Sequence, residues 1–244
     1  GRVHPLAQPV GRTHASGAFD WRAVPSADPR TSAFALDTAP ALPAAAEEFS
    51  GEACREIVED LLDRTRTGAA VAEVHAPFCE SKCDGCGCWQ HAYKELESRR
   101  WADALVREMA AWADTHAQAG APIQALRFGG GTPSALEPVD ILHVLANALQ
   151  YLPLSNDCSI ELQARVHGFS EEKIEAALAG GVTRFVLLVR SFSTEVRQAA
   201  GPLDAGGAAE KLLKRLTEYN ESAVAVELNF CLPGQSLEVW TADL

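Results

Sequence analysis

Long apolar runs are missing from this 244-residue chain: no stretch approaches the length of a membrane-spanning helix, and no N-terminal segment reads as a signal peptide. A membrane is therefore not an expected partner. Basic residues are scarce, 21 Lys and Arg against 33 Asp and Glu, for a net charge of −12. That balance argues against a nucleic-acid partner, because phosphate backbones are bound through clustered Lys and Arg that release counterions. An even, spaced set of cysteines is also lacking. There are seven, four of them in one short loop, a poor disulfide framework and a better reduced metal site in the cytoplasm. The first 67 residues lack sustained periodicity and are rich in Ala, Pro and small polar residues. The chain opens on Gly1 rather than Met and stops at Leu244 without a terminating pattern, so it reads as a piece of a longer protein. What remains is ordinary for a globular enzyme-sized domain: 47% hydrophobic and 22% charged, enough to bury a sizeable core.

The most informative stretch is HAPFCESKCDGCGC, which sets Cys79, Cys83, Cys86 and Cys88 in one loop. Thiolates are soft ligands, and crowding them favours a metal centre over packing. Structural zinc usually draws two C-x2-C knuckles from separated segments, and no second Cys or Cys/His pair follows here at such spacing. A C-x3-C-x2-C loop can instead cap three irons of a [4Fe–4S] cube and leave the fourth open. Zinc, or a chance cluster of thiols, is the alternative reading.

From Gly68 onward strand and helix patterns alternate. Strands are expected at 69–76, 122–128, 158–164, 184–190 and 223–230, with helices at 93–119, 134–151, from Ser170, and through 208–219; one further helix near 52–65 closes the N-terminal arm. The expected domains are thus an arm over 1–67 and a core over 68–244. Such alternation means βαβ units and an α/β fold with a parallel sheet. Three motifs follow strand ends, where active sites of parallel α/β folds gather: the cysteine loop, Gly129-Gly130-Gly131-Thr132-Pro133, and Leu232-Pro233-Gly234-Gln235. The three glycines let backbone approach a ligand, and their amides with those near Ser134 could hold a carboxylate; a tight turn is the plainer reading.

In this order, HAPFC-x3-C-x2-C, GGGTPS, GGVTRF…VRSF and LPGQ resemble the radical S-adenosylmethionine (SAM) group of oxygen-independent coproporphyrinogen III dehydrogenases. The stretch from Ser134 to Phe185, and the ending VELNFCLPGQSLEVWTADL, are closer to the branch of anaerobic haem-degrading methyltransferases, the anaerobilin synthases. The resemblance covers residues 68–244 and implies a partial (β/α)6 barrel, truncated at its C-terminal side. It implies a [4Fe–4S] cluster on Cys79, Cys83 and Cys86, with SAM chelating the open iron. It also implies reductive cleavage of SAM to a 5′-deoxyadenosyl radical that acts on haem or a related tetrapyrrole. In the haem-degrading branch SAM is also the methyl donor, and the macrocycle opens with release of iron. An electron donor such as flavodoxin would be a partner. Carried over by position, Gly129, Gly130, Gly131 and Thr132 support SAM, and Gln163, Arg190 and Glu227 stand where the family carries a ribose-binding Glu, a Gln and an Asp. Glu73, Gly85 and Pro202 replace a Tyr, an aromatic and an Arg, and Cys88 suits the coproporphyrinogen form of the loop. These departures keep two further readings open: coproporphyrinogen dehydrogenation, and a non-catalytic cluster- or haem-binding relative.

Other candidates read as structural. His75 belongs to the motif scaffold; His116 and His143 are solvated or packed; Trp101 and Trp112 form a core-facing stripe; Cys54, Cys158 and Cys231 are small hydrophobes. His91 and Tyr93 face either substrate or a helix start. Replacing Cys79, Cys83 or Cys86 with Ala should abolish the iron content and visible absorption of anaerobically reconstituted protein, whereas Cys88→Ala should retain both. Loss of the chromophore in Cys88→Ala, or zinc in the metal analysis, would refute the assignment.

Overall fold

The computed structural model of the chain describes residues 12–13, 19–20, 50–81, 91–201 and 204–244. By backbone contacts it divides into Gly1–Arg55 and Glu56–Leu244. In the first unit β1 (Arg12–Thr13) pairs antiparallel with β2 (Phe19–Asp20). Helix α1 (Gly51–Leu62) runs through the boundary.

The second unit is built on a parallel sheet of five strands: β3 (Ala70–Ala76), β6 (Ile123–Gly130), β7 (Leu154–Arg165), β8 (Arg184–Arg190) and β9 (Ala223–Leu228), in that spatial order. A short parallel pair, β4 (Phe78–Cys79) with β5 (His91–Ala92), lies outside it. Each large strand therefore sits beside its predecessor, and the sheet advances in one direction. Right-handed crossovers that never reverse direction must stack their helices on one face. The burial pattern agrees. Val74, Leu126, Phe128, Ile160, Leu162, Phe185, Leu187 and Val189 alternate along the strands into one core. Facing them are Ala102 and Met109 of α2 (Glu95–Trp112), Ile141, Val144 and Leu145 of α3 (Pro138–Tyr151), Ile174 of α4 (Glu171–Ala179), and Leu212 and Leu216 of α6 (Gly206–Tyr219). The residues between them, among them Glu73, His75, Arg127, Glu161, Gln163, Arg165, Arg190 and Glu227, are half-buried or exposed on the other face. Period-two alternation thus separates an apolar, helix-covered face from a polar open one. This is the expected α/β architecture, an open parallel sheet covered by helices on one face.

Local chemistry explains where elements differ from the sequence reading. The expected helix over 134–151 breaks into a 3-10 turn, Pro133–Ala135, and α3, which starts at Pro138. Glu137 precedes Pro138 and is extended, as the proline ring requires of its neighbour. The helix expected over 93–119 stops at Trp112. Two short helices escaped notice, α5 (Thr194–Ala199) and α7 (Leu237–Asp243). Both carry a signal: Ser193 and Ser236 are N-caps accepting from Val196 and Val239, each followed by a Glu in the first turn. Trp101 packs edge-on against Phe78 at 6.1 Å, but Trp112 is 38% exposed, so the tryptophan stripe is core-facing only at its first member. Cys54 and Cys231 are exposed rather than packed, and Cys158 is half-buried. No helix among the described residues is long and apolar enough to cross a membrane.

Phe185 is fully buried and meets Phe169 edge-on at 5.7 Å. Phe185→Ala should cost about 3–5 kcal/mol in urea unfolding, from lost transfer energy plus the cavity left behind. Leu149→Ala, on a side chain 49% exposed, should stay within about 0.5 kcal/mol.

Candidate functional site

At the C-terminal ends of the strands the open face forms a cleft of about 370 Å³, lined by Glu73, His75, Cys79, Ser81, Gly130, Gly131, Thr132, Gln163, Arg165, Leu188, Arg190 and Glu227. That volume falls within the usual range of small-molecule sites, ~300–1,000 Å³. Every strand of the large sheet contributes. Of the residues expected to hold a cluster or its cosubstrate, Cys79, Gly130, Gly131, Thr132, Gln163, Arg190 and Glu227 converge here. Gly129 sits just behind: a Cβ there would lie 2.7 Å from the Gln163 amide oxygen, so its absence lets that side chain cross the strand. Cys83, Cys86 and Cys88 lie outside the described residues, as do Gly85 and Pro202. Leu232–Gln235 does not line the cleft. It is a turn closed by its own glutamine, whose side chain accepts from the Leu232 amide and donates to the Asn229 carbonyl.

The glycine run is required by protein packing before any ligand is considered. Gly130 has φ +92°, and a Cβ there would run into the His75 ring; a Cβ on Gly131 would collide with the Ala76 and Phe78 carbonyls. Gly131 N–H donates to the Ala76 carbonyl at 2.7 Å, so this amide is spoken for and does not serve as a carboxylate donor. The Ser134 region is likewise committed. Ser134 Oγ accepts from the Arg165 amide at 3.0 Å, and Lys173 Nζ donates to the Ser134 and Ala135 carbonyls at 3.0 and 3.3 Å. Burial pushes the Lys173 ammonium below its ordinary pKa, partly offset by Glu80 and Glu137.

The turn carrying Cys79 is held from several sides. The Tyr93 amide donates to the Cys79 carbonyl at 2.9 Å, Phe78 pairs with His91 and Cys79 with Ala92, and Arg165 Nη1 donates to the Ser81 carbonyl at 3.1 Å. Tyr93 packs edge-on against Phe78 and gives its hydroxyl to Glu137 at 2.5 Å, which makes it structural rather than substrate-facing. Burial and that carboxylate raise its phenol pKa. The Cys79 sulfur is buried, outside any disulfide, and 3.2 Å from Thr132 Oγ1.

Arg190 enters the cleft from a left-handed backbone, φ +70°, at a bulge in the β8–β9 pairing. Its neighbours are clamped: the fully buried Arg197 donates to the Val189 and Ser191 carbonyls and pairs with Asp204, while Asp243 accepts from Ser191 Oγ and the Phe192 amide, both at 2.7 Å. A strained, over-determined conformation of this kind is a mark of functional sites. Sequence reasoning missed Ser81, Arg165 and Leu188 as lining residues. Arg165 was findable, since it lies two positions beyond Gln163 on the same strand and so on the same face. His75, read as scaffold, is exposed in the cleft wall.

A soft thiol at the rim, a glycine turn without Cβ bulk and convergent amide, carboxylate and guanidinium groups fit an iron–sulfur centre with a polar cosubstrate. Among the described residues no group of three or more Cys, His, Asp or Glu gathers to hold a metal, Cys79 being the single described cysteine of its loop. A larger groove of about 460 Å³, along the free edge of β3 between Trp101, Met109 and Trp112, lacks this convergence.

Comparison with known proteins gives the same answer. The model of the "Radical SAM superfamily" matches residues 74–240. Anaerobilin synthase of Escherichia coli O157:H7 is 37% identical over 171 residues, 70% of this chain and 38% of that protein. Anaerobic coproporphyrinogen III oxidase 1 of Cereibacter sphaeroides is 27% identical over 173 residues, 70% of this chain and 38% of that protein. The heme chaperone HemW of Bacillus subtilis is 27% identical over 169 residues, 68% of this chain and 44% of that protein. The chain thus spans about two fifths of the length of these relatives. Among solved structures, coproporphyrinogen III oxidase (HemN) of Escherichia coli aligns with a TM-score of 0.69 at 20% identity, over 85% of this chain and 48% of that one, a likeness of fold.

The His75–Gly130 approach offers a test of the site's packing. Gly130→Ala should destabilise the protein by about 1–3 kcal/mol, the cost of a left-handed backbone at a non-glycine residue plus the displaced imidazole. In the double variant with His75→Ala the collision disappears and part of the loss should return, measured as a coupling in denaturant unfolding.

Proposed function

The chain belongs to the radical SAM superfamily, enzymes that use a [4Fe–4S] cluster and SAM, and from that premise we propose that it acts on a tetrapyrrole, opening the haem macrocycle anaerobically with methyl transfer and iron release. The observation that carries this reading is the convergence of Cys79, Gly130, Gly131, Thr132, Gln163, Arg190 and Glu227 on one cleft at the strand ends. The choice of haem follows the relative at 37% identity, a protein named for anaerobilin synthesis.

In this reading Cys79, with Cys83 and Cys86, ligates the cluster within a core of residues 68–244. When bound, the cluster supplies the electron for reductive cleavage of SAM. The chain's own groups then divide the work of holding the cosubstrate. Gly130 lets the His75 ring pack onto the cleft wall. Gln163 and Glu227 face sugar hydroxyls, which an amide and a carboxylate can each accept. Arg190 and Arg165 offer guanidinium groups to a carboxylate. The thiolate set belongs in a reducing compartment, the cytoplasm, with a flavodoxin-like donor as electron source.

Gln163 and Arg190 replace a Glu and a Gln of the resembling family, and that favours a second reading, a cluster- or haem-binding protein whose cosubstrate pocket has lapsed. Kinship to a protein named as a heme chaperone points the same way. Anaerobic reconstitution followed by reduction with SAM separates the two. On our reading 5′-deoxyadenosine forms and added haem loses its Soret band as iron is released, whereas added coproporphyrinogen III is not decarboxylated. Gln163→Glu should tighten SAM binding by up to about tenfold, because hydrogen bonds to a charged acceptor are worth ~1.5–3 kcal/mol against ~1 for a neutral one. A reduced cluster that yields no 5′-deoxyadenosine, even after Gln163→Glu, would leave the non-catalytic reading standing.

A further inference from the structure

We infer that Thr132 is a tuning residue for the cluster: its hydroxyl donates a hydrogen bond to the Cys79 sulfur and raises the reduction potential of the iron–sulfur centre held there. The inference rests on the ligand role proposed for Cys79 and concerns the side chain beside it. Thr132 Oγ1 and Cys79 Sγ are 3.2 Å apart, and both residues are buried, at 1% and 5% exposure. A sulfur that ligates iron has given up its proton. The hydroxyl is then the one group of the pair with a hydrogen to give, which fixes the direction of a bond that either atom could donate between neutral partners.

Three observations set this contact apart from incidental packing. Thr132 occupies the N-cap position of the 3-10 turn Pro133–Ala135, where a hydroxyl commonly accepts from the turn's own amides, yet its side chain makes no cap bond. The turn is anchored without help from Cys79, through Lys173 on the Ser134 and Ala135 carbonyls and the Arg165 amide on Ser134 Oγ. Cys79 is anchored without help from Thr132, through the Tyr93 amide on its carbonyl and its pairing with Ala92. Two backbones, each held without recourse to this contact, thus present hydroxyl to sulfur, so the bond needs little reorganisation.

Reduction of the centre from its 2+ to its 1+ state takes one electron from a low-potential donor and releases none, leaving the thiolates more negative. A hydrogen bond donated to one of them stabilises the reduced state more than the oxidised one, and the potential rises. With Cys79 and Thr132 only 5% and 1% exposed, the low local dielectric makes that bond electrostatically stronger than in water.

The experiment uses the anaerobically reconstituted chain without SAM, poised at fixed potentials with dithionite and viologen dyes. The reduced cluster is counted by electron paramagnetic resonance beside iron and sulfide analysis. Thr132→Val keeps the shape and removes the hydroxyl. It should bind the same iron while its reduced-to-oxidised ratio at a fixed poise falls roughly tenfold, about 59 mV for a one-electron couple. Thr132→Ser should restore the ratio. An unchanged ratio in Thr132→Val at equal iron content would overturn the inference and leave the function proposed above intact. Failure of the unmodified chain to take up iron would instead sink the function proposed above. If Thr132→Val loses the cluster, iron retention decides: retention in Thr132→Ser supports the hydrogen bond, and loss in Thr132→Ser overturns it.

Discussion

The hydrogen bond from the Gly131 amide to the Ala76 carbonyl joins two turns that leave neighbouring strands, and it is possible because Gly131 has no Cβ to strike the Ala76 and Phe78 carbonyls. With the strands β3 and β6 in register up to His75 opposite Gly129 and Ala76 opposite Gly130, this bond carries the pairing one step past the sheet. It brings the turn that bears Cys79 against the turn that bears Thr132. The rest of the cleft is measured from that junction: His75 lies over Gly130, Gln163 crosses behind Gly129, and Arg165 reaches back to the Ser81 carbonyl. A side chain at Gly131 would part the two turns and separate the thiol from its neighbour.

The sheet supplies the second constraint. Because each strand is laid beside its predecessor and the helices cover one face, the other face keeps charged and polar side chains that a two-sided α/β sheet would have to bury at high cost. Across the middle of that face run Glu73, Arg127, Glu161 and Arg184 in register, alternating in sign. Arg127 and Glu161 approach to 3.9 Å, a separation at which partial exposure leaves modest attraction. One step nearer the strand ends the row gives way to His75, Gly129, Gln163 and the cleft. The apolar face specifies the fold and the polar face is left available for chemistry.

Much of this was legible in the chain before any coordinates. Strand 184–190 matches residue for residue, and Ser170 sits where the helix of Glu171–Ala179 begins, because Val-Leu-Leu-Val runs and a Ser before Glu-Glu are strong local signals. The glycine run and the cysteine motif were found as strand-end features, and the strands themselves bring Gly130 and Cys79 to one cleft. What the chain did not disclose depends on tertiary contact. The commitment of the Gly131 amide, the break before Pro138 and the partnership of Tyr93 with Glu137 follow from neighbours remote in sequence. Counting along the resembling family led to Pro202 for a cationic role, while the nearby Arg197 proves to be buried beneath Arg190, holding the carbonyls on either side of it.

That buried arginine and Asp243 bear on when the cleft can exist. The carboxylate that secures Ser191 and the Phe192 amide comes from α7, made after all five strands. In N- to C-terminal synthesis the Ser191 hydroxyl and the Phe192 amide therefore gain their Asp243 partner only once α7 has been made. The order of residues along the chain thus places the last partner of the arginine-bearing wall after every strand of the sheet.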